Sequence, residues 1–268
     1  MSTHLRSVPM TLFDLSGQVG LVTGGNSGIG LGYAEGLAAC GAAIAIWGTN
    51  PSKNEAAVER LSEYGVDVHA VVCDVGDQDG VVAAMAETIS ELGRVDSCFV
   101  NAGIGGRADG FATMPVEEWR RVLRVNLDGA FYTSQEAVKH WVDRWGEGDE
   151  AGGSLVFTSS GSAFFGQPRG EHYGGSKAAI IAMSKGIAVE YARYKVRSNA
   201  IVPGWIDTEM ASGALHWDKF IERNMPRTPA RRWGEGKDFS GIAAYLASPA
   251  SSYHTGDVIT IDGGYYIF

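Results

Sequence analysis

Short runs of apolar residues alternate along this chain with longer segments in which apolar residues recur at helical spacing. The short runs predict β-strands, and the longer segments predict α-helices. The predicted strands are Gln18–Thr23, Ala42–Trp47, Val66–Cys73, Val95–Asn101, Ser154–Ser159, Val196–Val202 and Val258–Asp262. The predicted helices lie near residues 28–39, 54–64, 77–92, 116–143, 173–193 and 238–247.

This alternation predicts βαβ units and an α/β fold, a doubly wound parallel sheet of about seven strands with helices on both faces. The strands are nearly continuous apolar runs, as burial on both faces of a sheet requires. We expect an N-terminal leader over residues 1–13 and a single domain over residues 14–268. Residues 205–236 contain three of the seven tryptophans and interrupt the rhythm, so we expect them to cover a substrate pocket.

A glycine-rich turn follows the first predicted strand directly. Its sequence is Thr23-Gly24-Gly25-Asn26-Ser27-Gly28-Ile29-Gly30. Glycines allow a sharp turn and a close approach of the backbone to a ligand, and the N-terminus of the following helix suits a phosphate group. Because the turn lies between a strand and a helix at the start of the βαβ series, it predicts a dinucleotide-binding site.

Tyr173 and Lys177 are four residues apart on a predicted helix and therefore share one face. An ammonium ~4 Å from a phenolate stabilises it by about 4 kcal/mol at an effective dielectric near 20, enough to lower the phenol pKa by roughly three units. Ser160 follows a predicted strand at the sheet edge where open α/β sheets bind ligands. The adjacent Ser159 is the alternative, but the spacing to Tyr173 favours Ser160. These side chains predict acid/base chemistry.

The string TGGNSGIG resembles the TGxxxGIG signature of the short-chain dehydrogenase/reductase family. Further motifs follow in that family's order over roughly residues 14–264: Asp74-Val75, Asn101-Ala102-Gly103, Asn126, Ser160, Tyr173, Lys177, Pro203-Gly204, Ile206, Thr208 and a TGxxxxxDGG-like end at Thr255–Gly264. The resemblance implies a Rossmann-type fold with bound NAD or NADP. It also implies an oxidoreductase that interconverts a secondary alcohol and a ketone by hydride transfer.

The resemblance also implies roles for individual residues. Tyr173 would exchange a proton with the substrate oxygen, and Ser160 would orient the substrate. Lys177 would tune Tyr173 and hold the nicotinamide ribose, while Asn126 would hold a water that links Lys177 to solvent. The implied cofactor-binding residues are Gly24, Asn26, Ser27, Gly28 and Ile29 at the pyrophosphate and ribose, Asp74 and Val75 at the adenine, Asn101, Ala102 and Gly103 on its ribose side, Ile206 and Thr208 at the carboxamide, together with Pro203 and Gly204.

The end of the second strand normally discriminates NAD from NADP, through an acid for the ribose 2′-hydroxyl or an arginine for a 2′-phosphate. This chain has Trp47-Gly48-Thr49-Asn50 and therefore neither marker. Thr49 and Asn50 are predicted to contact the ribose, and Lys53 is the nearest cation. Because the arginine is missing, we expect a preference for NAD.

Residues that follow the strand ends are candidates for the substrate pocket. They are Gly105, Phe165, Gln167, His172 and Trp205, with Phe164, His216 and Trp217 as further candidates. The number of aromatic side chains favours an apolar or ring-bearing small-molecule substrate over a bare sugar.

Charge narrows the range of partners. The 268 residues include 22 Lys or Arg and 31 Asp or Glu, so the net charge of −9 disfavours nucleic-acid binding.

No apolar run is long enough for a membrane span, and the first residues lack a signal-peptide core. Three cysteines without metal spacing favour a cytoplasmic protein with reduced thiols and no metal site. In the resembling family, similar helix faces form oligomers, so we expect a homotetramer or homodimer.

Two alternative functions remain open. One is a 3-oxoacyl-thioester reductase, for which Arg169, Arg231 and Arg232 are candidate acyl-carrier contacts. The other is a non-catalytic dinucleotide-sensing protein on the same fold, since fold does not determine function. The complete set of Ser160, Tyr173 and Lys177 argues against the sensor.

Overall fold

The computed structural model describes residues 10–268. A single sheet of seven strands runs through this part of the chain in the order β3-β2-β1-β4-β5-β6-β7, and every neighbouring pair is parallel. The strands are β1 (Val19–Thr23), β2 (Ala43–Gly48), β3 (Val68–Val72), β4 (Ser97–Val100), β5 (Gly153–Thr158), β6 (Val196–Pro203) and β7 (Val258–Ile261). The predicted doubly wound parallel sheet is confirmed.

Helices cover both faces of the sheet. They are α1 (Gly28–Ala39), α2 (Pro51–Ser62), α3 (Gln78–Leu92), α4 (Val116–Leu123), α5 (Gly129–Gly146), α6 (Glu171–Glu190), α7 (Ser212–Leu215), α8 (Asp218–Asn224) and α9 (Ser240–Ala247). Successive β1 side chains point to opposite faces. Leu21 packs into a core with residues of α3, α5 and α6, whereas Val22 packs into a core with residues of α1, α2 and α9.

The segment predicted as one helix over residues 116–143 is divided in the structure. Helix α4 ends at Leu123, one π-helical stretch spans Arg124–Asp128, and α5 begins at Gly129. The stretch turns Asn126 toward the loop after β4, where its Oδ1 accepts from the Ile104 N–H at 2.8 Å and its Nδ2 donates to the Ile104 carbonyl at 3.0 Å. The apolar periodicity continues across this stretch, so the sequence pattern does not reveal it.

Residues 205–236 leave the sheet after β6 and contain α7 and α8, two helices that were not predicted. Ile206 and Gly234 form an isolated parallel bridge, so the segment returns to its starting point. Its role as a cover stays a prediction. Of the expected leader, residues 1–9 lie outside the described part of the chain, and Met10–Phe13 form one turn of 3-10 helix.

Candidate active site

The strand order reverses between β1 and β4, and this reversal opens a crevice at the carboxyl ends of the two strands. Thr23 ties the loops at this edge together. Its hydroxyl accepts from the backbone N–H groups of Asn101 and Ala102, each at 3.0 Å, and the Asn101 side chain donates to the Thr23 carbonyl at 3.0 Å. The glycine turn and the Asn101-Ala102-Gly103 loop therefore form one rigid wall.

The glycine turn is packed so closely that larger residues would not fit. Gly24 has φ +63°, and a Cβ there would lie 3.2 Å from the Ala102 Cα. A Cβ at Gly30 would overlap the Gly24 carbonyl oxygen, and one at Gly28 (φ +54°) would lie 2.9 Å from a Thr208 methyl group. The turn directs the N-terminus of α1 into the crevice, an arrangement that fits the pyrophosphate of a dinucleotide.

The other predicted cofactor residues lie at the same edge of the sheet. Asp74 follows β3, where its carboxylate accepts from Arg124 at 2.9 Å, and Val75 is buried against Gly129. Pro203 and Gly204 lie at the end of β6, with Ile206 buried below them. Topology thus brings together residues that are far apart in the sequence, and their individual roles stay predictions.

The end of β2 is built around a pair of amides. Asn26 donates to the Asn54 side chain at 2.7 Å, and a Cβ on Gly48 would overlap Asn26. A carboxylate side chain at Gly48 is therefore sterically excluded. Asn50 caps α2 by accepting from the Lys53 N–H at 3.1 Å, and the Lys53 ammonium is paired with the Glu209 carboxylate.

Tyr173 and Lys177 project from the first turns of α6 beside the end of β5. The Lys177 ammonium is buried, donates to the Thr158 carbonyl at 2.8 Å and lies 5.8 Å from the centre of the Tyr173 ring. A Cβ on Gly103 would lie 3.2 Å from Asn126 Oδ1 and 3.3 Å from Lys177 Nζ. Asn126 and Lys177 therefore both face the loop after β4, and the Tyr173 ring lies beside Lys177.

Two adjacent serines follow β5, and the structure distinguishes them. Ser159 is buried and donates to the Lys177 carbonyl at 2.8 Å, so its hydroxyl is used within the protein. Ser160 begins the turn Gly161–Ala163 and accepts from the Ser162 N–H at 3.2 Å. The Ser160 hydroxyl also forms a hydrogen bond with the Tyr173 side chain, and this bond opposes the rise in the phenol pKa. This arrangement favours Ser160 as the substrate-orienting serine.

Burial dominates the electrostatics of the Tyr173–Lys177 pair. It raises the pKa of Tyr173 above its usual value and lowers the pKa of Lys177 to about 8. The lowering of the Tyr173 pKa expected from the helical spacing was wrong for this geometry. The ammonium faces the ring and the Thr158 carbonyl, and the low-dielectric surroundings disfavour the phenolate.

Asn126 has its side chain engaged with both backbone groups of Ile104, as described above. Its amide nitrogen also lies 3.4 Å from the Ser176 hydroxyl. The side chain is thus a structural link between the π-helical stretch, the loop after β4 and α6. The water-holding role implied for Asn126 stays a prediction.

The predicted substrate residues differ in accessibility. Gly105, Phe165 and Gln167 are exposed, whereas Trp205 packs edge-on against Phe220 with ring centres 4.8 Å apart. His172 is fully buried, neither ring nitrogen has a hydrogen-bond partner, and its Nε2 lies 3.5 Å from Glu118 Oε1. The structure therefore places His172 behind Tyr173 in the interior, not on an open pocket wall.

Three residues near the site were not predicted from the sequence. Thr158 anchors Lys177, Met210 lies close to Gly105, and Tyr266 contacts Gly161. Met210 and Tyr266 come from segments distant in the chain, Thr158 lies two residues before Ser160, and none of the three belongs to a motif that marks it. Across residues 10–268, no group of three or more His, Cys, Asp or Glu side chains is arranged to hold a metal ion. No helix in that range is long and apolar enough to cross a membrane.

A Rossmann-type crevice beside a Ser-Tyr-Lys constellation defines a dinucleotide-dependent oxidoreductase. Comparison with known proteins agrees. A family profile described as enoyl-(acyl carrier protein) reductase matches residues 24–266. Gluconate 5-dehydrogenase of Gluconobacter oxydans is 33% identical over 258 residues, covering 94% of this chain and 96% of that protein. A 3-oxoacyl-[acyl-carrier-protein] reductase of Aquifex aeolicus is 32% identical, covering 94% of this chain and 98% of that protein.

A solved relative shows the same fold. The crystal structure of a gluconate 5-dehydrogenase from Burkholderia cenocepacia in complex with NADP and tartrate superimposes with a TM-score of 0.89 at 32% identity, covering 96% of this chain and 98% of that one. The chain belongs to the short-chain dehydrogenase/reductase family. It is an NAD(P)-dependent oxidoreductase that interconverts a secondary alcohol and a ketone. The expected preference for NAD gains no support from these comparisons.

Proposed function

We propose that this enzyme reduces a small ketone with Tyr173 as the proton donor. The observation that carries the proposal is the convergence of Ser160, Tyr173 and Lys177 beside the glycine-lined crevice. When bound in that crevice, a reduced nicotinamide would supply the hydride for the substrate carbon. The Tyr173 hydroxyl gives its proton to the substrate oxygen, the Ser160 hydroxyl holds that oxygen in place, and Lys177 keeps a positive charge beside the phenol.

The direction of the pKa shifts predicts a dependence on pH. Reduction needs the protonated phenol, and because burial raises the pKa of Tyr173, that form persists well above neutral pH. Oxidation needs the Tyr173 phenolate as the base, and because pH 7–8 lies well below the raised Tyr173 pKa, the phenolate fraction grows about tenfold for each pH unit there. We expect kcat/KM for alcohol oxidation to increase by about tenfold per pH unit between pH 7 and 8, while kcat/KM for ketone reduction stays flat. Initial rates in both directions test this; parallel profiles would contradict it.

We infer that NADP is the preferred cofactor. Three observations support this: Gly48 leaves no room for an acid at the end of β2, Thr49 is exposed beside the capped N-terminus of α2, and the solved gluconate 5-dehydrogenase binds NADP. A helix N-terminus is electrostatically suited to a 2′-phosphate. Lys53 contributes less, because Glu209 already neutralises it.

Thr49→Asp tests the cofactor preference. A carboxylate at this position would repel the 2′-phosphate, so we expect the KM for NADPH to rise by at least about tenfold while the KM for NADH changes little. Thr49→Asn is the matched control, because it has nearly the same size and no charge. Steady-state titration of both cofactors measures the effect. If the ratio of the KM for NADPH to the KM for NADH is unchanged in the Asp variant, the 2′-phosphate does not bind at this end of β2.

A small-molecule substrate is favoured over an acyl chain on a carrier protein. A carrier needs free cations near the pocket. Of the three candidate arginines, Arg232 is paired with Asp238 and Arg231 donates to the Pro226 carbonyl, which leaves Arg169. Phe164 and Phe165 are exposed beside the site, and aromatic faces of this kind suit an apolar or ring-bearing substrate. A panel of cyclic ketones, 5-keto-D-gluconate and a 3-oxoacyl thioester distinguishes these classes by kcat/KM.

We also propose a cytoplasmic homotetramer or homodimer. The support is chemical: Cys40, Cys73 and Cys98 are all free thiols, and Val189 and Phe131 are apolar side chains exposed on α6 and α5. The mass of the protein in solution, measured by light scattering, tests the assembly.

A further inference from the structure

The turn after β7 folds the chain back toward the active site. Gly263 and Gly264 have φ values of +64° and +87°, a region open mainly to glycine. The Asp262 carboxylate fixes the turn by accepting from the backbone N–H groups of Gly264 at 2.8 Å and Tyr266 at 2.7 Å. As a result, the 3-10 turn Tyr265–Ile267 presents the Tyr266 side chain to the ends of β5 and β6.

Tyr266 connects two segments that carry predicted site residues. Its hydroxyl donates to the Pro203 carbonyl at 2.9 Å, at the end of β6. The same phenol fills the space beside Gly161, the residue after Ser160, where any Cβ would overlap the Tyr266 hydroxyl. Gly161 is therefore required for space, because only a hydrogen lets the phenol approach the backbone this closely.

The Tyr266 ring also contacts Phe165, a residue of the predicted substrate pocket. It stacks on the Phe165 ring with centres 5.1 Å apart and an interplanar angle of 25°. Phe165 is about half exposed, so the stacked pair offers an apolar wall next to Ser160. Tyr173 is close enough that its ionised form would raise the pKa of Tyr266 further, beyond the effect of burial and of Asp262. Tyr266 thus lies among Gly161, Tyr173 and Pro203.

We propose that Tyr266 is a positioning residue for the reaction, bracing the Ser160–Gly161 turn against Pro203 and supporting Phe165 as a wall of the substrate site. This inference rests on the proposed role of Ser160 and Tyr173. The brace keeps the Ser160 hydroxyl at a constant distance from the Tyr173 phenol, and small displacements of such groups lower the rate of the chemical step.

Tyr266→Phe tests the brace. It removes the hydroxyl and keeps the ring that stacks on Phe165. We expect kcat to fall by about three- to tenfold, the effect of one lost hydrogen bond, with the cofactor KM unchanged. Single-turnover measurement of nicotinamide oxidation should show the same decrease, because the effect lies in the chemical step. The thermal midpoint should stay close to that of the wild type.

Tyr265→Phe is the matched control. Its hydroxyl donates to Asn224 Oδ1 at 2.8 Å on α8, so the same atom is removed one residue away and from a different contact. Tyr266→Leu extends the test, because it removes the stacking as well and should raise the substrate KM in addition to lowering kcat. A purely structural role for Tyr266 predicts a lower thermal midpoint with wild-type kcat per folded enzyme, and that result would overturn the inference.

The outcome separates the inference from the proposed function. If Tyr173→Phe is inactive and both Tyr266 variants keep wild-type single-turnover rates, the brace is wrong and the acid/base assignment stands. If Tyr173→Phe keeps full activity, the proposed function fails, and the inference that depends on it fails with it.

Discussion

Tyr173→Phe is expected to lower kcat by at least about a thousandfold while leaving cofactor affinity nearly unchanged. The substitution removes only the hydroxyl that donates the proton, and general acid catalysis typically contributes about 10²- to 10⁴-fold. Ring packing and the approach of Lys177 to the ring face, at 5.8 Å from its centre, are preserved. Stopped-flow absorbance of the reduced nicotinamide measures turnover, and quenching of protein fluorescence measures cofactor binding.

Tyr64→Phe provides the control for this experiment, because Tyr64 follows α2 at the surface and is 44% exposed. It should retain wild-type kinetics. The comparison also separates an enzyme from a dinucleotide sensor that uses the same fold. A sensor would show no turnover to lose, whereas the enzyme loses turnover and keeps cofactor binding. A Tyr173→Phe variant within tenfold of the wild type would show that another group donates the proton.

Gly30→Ala is the second substitution with a large expected effect. A Cβ at residue 30 would overlap the Gly24 carbonyl and lie 2.6 Å from the Asn101 side-chain nitrogen. The contact involves backbone on one side and a hydrogen-bonded amide on the other, so neither neighbour moves away easily. We expect a loss of about 1–3 kcal/mol in the free energy of unfolding, as for other overpacked sites, and at least about tenfold weaker cofactor binding.

Gly186→Ala is the matched control for the glycine turn. Gly186 lies within α6, is exposed, and has nothing within 4 Å of an added Cβ. The same chemical change should therefore stabilise the protein by about 0.5–1 kcal/mol, because alanine favours a helix interior more than glycine does. Urea unfolding and cofactor titration of both variants decide the matter. Similar behaviour of the two variants would contradict the close packing of the turn.

The order of strands and helices was predictable because it depends on neighbouring residues. The continuous apolar runs of β1, β5 and β6 and the periodic segments of α1 and α3 match the structure to within a few residues. The start of α2 was placed too late, at residue 54. Helix α2 begins at Pro51 because Asn50 caps it and proline suits the first helical position.

The resemblance in motifs also predicted the dinucleotide crevice and the Ser-Tyr-Lys set, since those residue types recur at fixed positions in the chain. It did not identify two contacts that support the site. Thr158 acts through its backbone carbonyl, which any residue carries, and Tyr266 contacts Gly161 across more than one hundred residues. Neither contact leaves a local pattern that a single sequence displays.

The sequence by itself determined the fold class, the family and the chemistry available at the site, because local periodicity, glycine spacing and side-chain type are properties of the chain alone. Only the tertiary structure decided the π-helical stretch at Asn126, the engagement of the Ser159 hydroxyl by the Lys177 carbonyl, and the direction of the pKa shift at Tyr173. Those features depend on burial and on hydrogen bonds between distant segments, and both exist only after the chain has folded.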